Sequence, residues 1–154
     1  MSTRRRTLIL AWGNPGRLDD GLGPAFANIA SDWALPDVTI DAQYQLQVED
    51  AAMVSQAERV VFVDSYQGIL PGGFQWTPCN PSKEFEFTSH VLAPSAVMFL
   101  CQDLYGKTPA AELLLIQGDN WELSTGMSSA AQRRLDEALA TLPLRLLLQP
   151  PLVH

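Results

Sequence analysis

The sequence has few positively charged residues for its length. Its 154 residues contain 10 Lys and Arg against 17 Asp and Glu, which gives a formal net charge of -7, and Arg4, Arg5 and Arg6 hold part of that small positive charge at one end. Binding to nucleic acid or to anionic lipid depends on clustered Lys and Arg that displace counterions. We therefore expect no nucleic-acid partner.

Long apolar runs and cysteine frameworks are also missing. The apolar run after the three arginines, residues 8–12, is shorter than the ~7–15 residues of a signal-peptide core. No window approaches the ~18 apolar residues of a membrane span. Cys79 and Cys101 are the only cysteines and do not have the spacing of a disulfide framework. We therefore expect no membrane association and a cytoplasmic location.

Apolar residues are plentiful, at 47% of the chain, while charged residues make up 18%. This composition, without low-complexity segments, is typical of a globular protein with one substantial core. We predict a single domain over residues 1–154, with peripheral segments at residues 1–6 and, because of Pro143, Pro150 and Pro151, at residues 143–154.

Unbroken apolar runs alternate along the chain with segments of helical spacing. Runs without polar alternation indicate strands covered on both faces, and spacing at i, i+4 and i+7 indicates amphipathic helices. The predicted strands are residues 7–12, 38–42, 59–64 and 113–117, with a strand pair at a sheet edge within residues 68–87. The predicted helices are residues 21–34, 48–57, 93–106 and 128–142, the last capped by Ser128.

Strands that alternate with helices of this length predict an α/β fold in three layers. We expect a mostly parallel, twisted sheet of about five strands with helices on both faces. In such folds ligands bind beyond the carboxyl ends of the strands. The residues that follow the apolar runs are therefore the first candidates for a functional site.

Three acidic side chains and one histidine follow these runs. Asp19 and Asp20 come after the first strand, Asp64 ends the middle strand, and His90 follows the edge strands. Two carboxylates and an imidazole that converge provide ligands for a divalent ion and leave coordination positions open. Each residue also has a structural interpretation: Asp19 or Asp20 at a helix N-terminus, and His90 as an ordinary loop residue. Asp64 is harder to explain structurally, because an isolated buried charge is costly.

A longer motif surrounds these positions. Residues 13–23 read Gly-Asn-Pro-Gly-Arg-Leu-Asp-Asp-Gly-Leu-Gly, residues 63–65 read Val-Asp-Ser, and residues 89–90 read Ser-His. The pattern resembles that of the hydrogenase maturation proteases, in which Gly-Asn, four variable residues and an acidic pair precede a glycine-rich helix start. The resemblance extends over roughly residues 7–142.

The resemblance implies an endopeptidase. Its substrate would be the precursor of a nickel–iron hydrogenase large subunit, from which it would remove a C-terminal extension after nickel insertion. The metal-contacting and catalytic positions of the family fall on Asp20, Asp64 and His90. Asp19 matches the first acidic position and is a weaker candidate.

One loop departs from the family pattern. Family members commonly carry a Gly-Gly-Thr-like loop after the second strand, whereas residues 41–46 read Asp-Ala-Gln-Tyr-Gln-Leu here. Glycine permits close backbone approach to a ligand and these residues do not, which leaves open which precursor is processed. Gln43 and Gln45 can instead hydrogen-bond an extended peptide. The predicted substrate-contacting residues are Asn14, Asp19, Gln43 and Gln45.

Conventional nucleophiles are poorly placed in the sequence. Cys101 lies on the apolar face of a predicted helix, Cys79 has no histidine nearby, and Ser89 and His90 are neighbours on a predicted strand end, where adjacent side chains point apart. We therefore hypothesise that Asp20, Asp64 and His90 engage the nickel of the precursor, so that only loaded substrate is cleaved. No permanent cofactor is expected.

Other functions share some of these features. A nickel-sensing chaperone that docks on the precursor without cleaving it would use the same ligands. Peptidyl-tRNA hydrolases also begin with Gly-Asn-Pro-Gly after a strand, but they need a histidine soon after it and a basic surface. A dinucleotide-binding protein needs G-x-G-x-x-G, which the glycines here do not form, and Asp19 and Asp20 would repel a pyrophosphate.

Overall fold

The computed structural model of the protein describes residues 6–83 and 92–148. These described residues form five strands and four α-helices, and a short 3-10 helix, Leu18–Gly21, precedes the first α-helix. The strands are β1 Thr7–Trp12, β2 Val38–Gln43, β3 Arg59–Tyr66, β4 Phe74–Pro78 and β5 Ala110–Gln117. The helices are α1 Leu22–Asp32, α2 Asp50–Ser55, α3 Pro94–Tyr105 and α4 Ser129–Leu147.

All five strands form one sheet in the order β2-β1-β3-β5-β4. The first four strands of that order run parallel, and β4 pairs with β5 in the antiparallel sense. The predicted α/β sheet of about five strands is confirmed. Of the predicted edge pair, β4 is present, whereas the second strand, around Phe85 and Phe87, lies outside the described residues.

Alternating strand side chains form two apolar layers, one on each face of the sheet. On one face, Ile9 and Val61 pack with Phe26 of α1 and Leu135 of α4. On the other face, the adjacent strand residues pack against α2 and α3, as Phe62 does. Because neighbouring strand residues point to opposite faces, both faces are covered and the strands read as unbroken apolar runs. This explains why the strands were readable from the sequence.

The predicted helix over residues 48–57 is shorter in the structure. Helix α2 spans only Asp50–Ser55. In the predicted helix the spacing places Val48, Ala51, Ala52 and Ser55 on the inward face, but Val48 is 53% exposed. Val54 takes the buried position, together with Ala51. The inward assignment of Val48 was therefore wrong, because the chain is not yet helical at that residue.

The last helix is longer than predicted. It continues through Pro143 to Leu147, although proline lacks the N–H that a helix interior uses. Leu142 is buried on one side of the proline and Leu146 packs against the same apolar layer. Residues 143–148, predicted to be peripheral, thus extend α4, and most of them are exposed whereas Leu146 contacts the core.

A buried ion-pair cluster attaches this part of α4 to the start of the sheet. Glu112 of β5 binds Arg59 of β3 at 2.7 Å and Arg145 of α4 at 2.5 Å, and Arg59 and Glu112 are 3% and 1% exposed. The Arg59 guanidinium also donates to the backbone carbonyls of Arg145, Leu146 and Leu148. These contacts keep the helix end in place and explain why it tolerates the proline.

Within residues 6–83 and 92–148, no helix combines the length and the apolar character that crossing a lipid bilayer requires.

The order of the strands creates a crevice at one end of the sheet. The chain leaves β1 toward β2 on one side of the sheet and leaves β3 toward β4, at the edge of the other side. Where the strand order reverses in this way, the loops after the two central strands diverge, and ligands of open α/β sheets bind there. The crevice lies at the carboxyl ends of β1 and β3.

Candidate active site

Asp20 lies at this crevice on the 3-10 helix Leu18–Gly21, which follows β1. Its Oδ2 accepts a hydrogen bond of 2.8 Å from the backbone N–H of Asn14. The turn of residues 14–17 thus holds one carboxylate oxygen in place. The glycine-containing turn and the acidic pair therefore form one structural unit.

Two glycines of the motif permit this geometry. Gly13 has φ +150, and a Cβ there would lie 2.0 Å from the backbone oxygen of Asp20. At Gly23 a Cβ would lie 2.4 Å from the Trp12 carbonyl oxygen and 3.1 Å from that of Val63. Only glycine permits the turn and the close approach of α1 to the ends of β1 and β3. The motif glycines therefore position the acidic pair.

Asp64 lies near the carboxyl end of β3, in the strand beside β1. Burial, together with the nearby negative charge of Asp20, raises the pKa of its carboxyl group to about 7, although hydrogen bonds from Ser65 oppose the rise. The structure thus brings Asp20 and Asp64, 44 residues apart in the chain, close enough for their charges to interact. A carboxyl group that titrates near neutral pH in a crevice is a candidate for proton transfer.

Ser65 links the two carboxylates. Its backbone N–H donates to Asp64 Oδ1 at 2.8 Å, and its hydroxyl donates to Asp20 Oδ1 at 3.4 Å. Ser65 was not among the predicted site residues. The signal was its place directly after Asp64 within the Val-Asp-Ser segment of the motif.

Asp19 has a different environment from Asp20. It is fully buried, and its carboxylate accepts hydrogen bonds from the backbone N–H groups of Asp119 and Asn120 and from both the N–H and the hydroxyl of Ser128. Burial alone would raise the pKa of Asp19, but these bonds together hold it below its ordinary value. This burial favours a structural role over the predicted contact with substrate.

The other predicted substrate contacts line the same end of the sheet. Asn14 accepts the N–H of Gly16 through its side-chain oxygen at 2.8 Å and is partly exposed. Gln43 ends β2 and donates its side-chain amide to buried Asp50. Gln43 also borders a hollow of about 160 Å³ beside Gly13. Gln45 is exposed. Their contact with substrate stays a prediction.

His90 lies outside the described residues, so its predicted convergence with Asp20 and Asp64 stays untested. Within the described part of the chain, no group of three or more His, Cys, Asp and Glu side chains is arranged to hold a metal ion. Asp20 and Asp64, two of the three predicted ligands, lie near each other, and their contact with a metal ion stays a prediction.

Cys101 lies in the core, as its place on the apolar face of a predicted helix indicated, and Cys79 is buried as well. Cys101 is fully buried on α3, and Cys79 is 6% exposed after β4. Burial raises the pKa of Cys79 to about 12 and also raises the pKa of Cys101. Because the thiolate is the nucleophilic form, both thiols are unreactive at neutral pH.

Comparison with known proteins places this architecture among solved structures. No protein-family profile matches the chain, and no curated protein sequence matches it. The NiFe hydrogenase maturation protease HycI from Thermococcus kodakarensis KOD1 is similar in structure, with a TM-score of 0.74 over 96% of both chains at 20% identity. The hydrogenase maturating endopeptidase HybD from E. coli has a TM-score of 0.73 at 17% identity, over 92% of this chain and 91% of that chain.

A third similar structure is the hydrogenase 2 maturation peptidase from the Thaumarchaeota archaeon SCGC_AB-539-E09. Its TM-score is 0.69 at 21% identity, over 94% of this chain and 99% of that chain. The matches run over nearly the full length of each protein, although few residues are identical. The resemblance first seen in the motifs is thus matched by the architecture, and this chain has the fold of the NiFe hydrogenase maturation proteases.

Proposed function

We propose that this protein is an endopeptidase that removes the C-terminal extension of the large-subunit precursor of a nickel–iron hydrogenase once nickel has been inserted. The observation that carries the proposal is the pairing of Asp20 with Asp64 at the crevice between β1 and β3. The similarity in fold to hydrogenase maturation proteases supports the choice of substrate.

The nickel in this proposal belongs to the substrate, and no resident cofactor is required. Two carboxylates can contact an ion that already has ligands in the precursor, and His90 is the proposed nitrogen ligand. A hard carboxylate pair lacking a third described ligand would hold a free ion weakly. The contact therefore serves recognition, because an empty precursor lacks the ion that aligns its scissile bond.

The state of Asp64 fits this form of recognition. With a pKa of about 7, its carboxyl group carries a proton in much of the free protein at neutral pH. A nearby cation favours the ionised form, so binding of loaded precursor releases that proton. Recognition thereby activates the carboxylate pair.

Hydrolysis then needs water and a proton acceptor. The water oxygen bonds to the carbonyl carbon of the scissile peptide, and one carboxylate of the pair accepts the proton that the water loses. The positive charge of the ion stabilises the negative charge that develops on the carbonyl oxygen. As the C–N bond breaks, the proton passes to the leaving nitrogen. This is an aspartic-type reaction without a covalent intermediate.

The proposed partner is the precursor itself, and the proposed compartment is the cytoplasm, in keeping with two buried cysteines that are both free. Incubation of the purified protein with nickel-loaded and nickel-free precursor, followed by intact-mass measurement, tests the proposal. We expect loss of the extension only from loaded precursor. A stable complex at unchanged mass would instead establish a chaperone.

Variants of the candidate residues complete the test. Asp20→Asn, Asp64→Asn and His90→Gln should each abolish cleavage while the protein stays folded. Asp103→Asn is a matched control, because Asp103 is an exposed carboxylate on α3. Full cleavage by Asp64→Asn would contradict the proposed mechanism.

A further inference from the structure

Two acidic side chains approach the crevice from opposite sides of β3. Asp64 lies two residues after Phe62 on β3, so both side chains point to the same face of the sheet, the face covered by α2 and α3. Asp20 belongs to the segment that leads into α1, on the other face. Like charges repel at short range, so their relative position has to be fixed by a group that binds both.

Ser65 is placed to do this. It follows Asp64 on β3, so its side chain points to the opposite face, the one that Val61 and Val63 share with α1 and α4. Its hydroxyl therefore reaches Asp20, while its backbone N–H binds the Asp64 carboxylate. Asn14 holds the other oxygen of Asp20. Each carboxylate is thus bonded to Ser65 through one oxygen.

We propose that Ser65 is a positioning residue that sets the relative orientation of the Asp20 and Asp64 carboxylates, so that both reach one substrate-borne cation. The inference rests on the proposed function and adds to it a residue that acts through the pair. The hydroxyl contacts of Ser65 with Asp20 and with Asp64 depend on the side chain, whereas the N–H of residue 65, which also binds Asp64, is present in every variant except proline. Removing the hydroxyl should free Asp20, while the backbone bond still holds Asp64.

The test compares Ser65→Val with Ser65→Thr, two β-branched residues of similar shape that suit a strand. Only threonine retains the hydroxyl. We expect Ser65→Val to lower kcat for cleavage of nickel-loaded precursor about 10- to 100-fold, with little change in KM, because a misplaced group impairs the reaction more than binding. Ser65→Thr should stay within about threefold of the wild type in kcat. Ser55→Ala, which removes a hydroxyl bonded to a carbonyl of α2, is the control for general loss of a serine.

Crystal structures of the wild type, Ser65→Val and Ser65→Thr separate this inference from the proposed function. We expect the Asp20 carboxylate to turn away from Asp64 in the valine variant and to keep its place in the threonine variant. An Asp20 side chain that does not move in Ser65→Val would overturn the positioning role, whether or not the protein cleaves a precursor. Equal kcat for the two variants would also overturn it. Failure of the wild type to cleave loaded precursor would refute the proposed function alone.

Discussion

The carboxylate of Asp19 accepts both the backbone N–H and the hydroxyl of Ser128, at 2.8 and 2.7 Å. Ser128 is the N-cap of α4, and its hydroxyl oxygen also accepts the N–H of Ala131. Asp19 further binds the N–H groups of Asp119 and Asn120 after β5. One buried carboxylate therefore fastens the segment after β1, the segment after β5 and the start of α4 to each other. Asp20 is the next residue, so this cluster also anchors the candidate site.

Asp19→Asn should destabilise the protein strongly. An amide has one acceptor oxygen, and its NH₂ group would face N–H donors that remain buried. We expect a loss of about 2–4 kcal/mol in the free energy of unfolding at pH 7, measured by urea denaturation. Because folding lowers the pKa of Asp19, its contribution is present above the ordinary pKa of 3.8 and is lost as the pH falls through the lower folded value.

The control for this prediction is Asp119→Asn in the neighbouring segment. Asp119 is 41% exposed and forms a surface ion pair with Arg134, and such pairs are worth about 0–1 kcal/mol. Its backbone N–H, which binds Asp19, is unaffected by the change. Equal unfolding midpoints for Asp19→Asn and the wild type would show that the buried carboxylate does not anchor these segments.

The Asp64 carboxylate should destabilise the folded protein, whereas the Asp19 carboxylate stabilises it. Burial and Asp20 raise its pKa from 3.8 to about 7, so the folded state holds a proton that the unfolded state has released. The penalty for ionising Asp64 grows from about pH 4 to pH 7 and is constant above that range. Asp64→Asn should therefore raise the free energy of unfolding by about 1–3 kcal/mol at pH 8, since one pKa unit corresponds to about 1.4 kcal/mol and partial exposure weakens the effect.

The same variant should show almost no gain at pH 4, where Asp64 is protonated in the folded state. Urea denaturation of the wild type and Asp64→Asn at pH 4, 6 and 8 measures this trend. Asp103→Asn, at an exposed position of α3, should lack it. A stability gain of Asp64→Asn that is the same at all three pH values would show that ionisation is not its cause.

Most of the fold could be predicted because its strands are covered on both faces. Unbroken apolar runs marked β1, β3 and β5, and their alternation with helices indicated a mostly parallel sheet covered on both faces. The end of α4 could not be predicted, since proline normally stops a helix. Its continuation depends on Glu112, which lies within the apolar run of β5 and whose partners Arg59 and Arg145 are distant in the sequence. A charged residue in a buried strand was the available signal.

The candidate site was predictable only in part. Strand ends and motif glycines indicated Asp20 and Asp64, because the carboxyl ends of parallel strands share one edge of the sheet. The different environments of Asp19 and Asp20 could not be predicted from the sequence. Both residues follow β1, and only the folded chain determines that the Asp19 side chain faces Ser128. The contribution of Ser65 depends on its pairing with Asp20 across the crevice, a long-range contact that residue order does not reveal.

Glu112→Gln should destabilise the protein more than any surface charge change. Glu112 is 1% exposed and binds Arg59, which is 3% exposed, and Arg145. Neutralising it leaves the Arg59 charge buried without its anionic partner, and breaking a buried ion pair in this way costs about 3–5 kcal/mol. The Arg59 guanidinium keeps its hydrogen bonds to the backbone carbonyls of Arg145, Leu146 and Leu148, but these neutral groups do not replace the lost negative charge. Guanidinium chloride denaturation at pH 7 measures the effect.

A matched control separates burial from charge. Glu58→Gln removes a surface ion pair, in which Arg6 is 71% exposed and Glu58 is 49% exposed. This change should lower the free energy of unfolding by less than about 1 kcal/mol. Because the Glu112 cluster holds the end of α4, Glu112→Gln should also speed amide hydrogen exchange in residues 143–148 more than in α1. Unfolding of the two Glu→Gln variants at the same denaturant concentration would show that the buried cluster does not stabilise this end of the sheet. The continuation of α4 through Pro143 would then depend on the apolar contacts of Leu142 and Leu146.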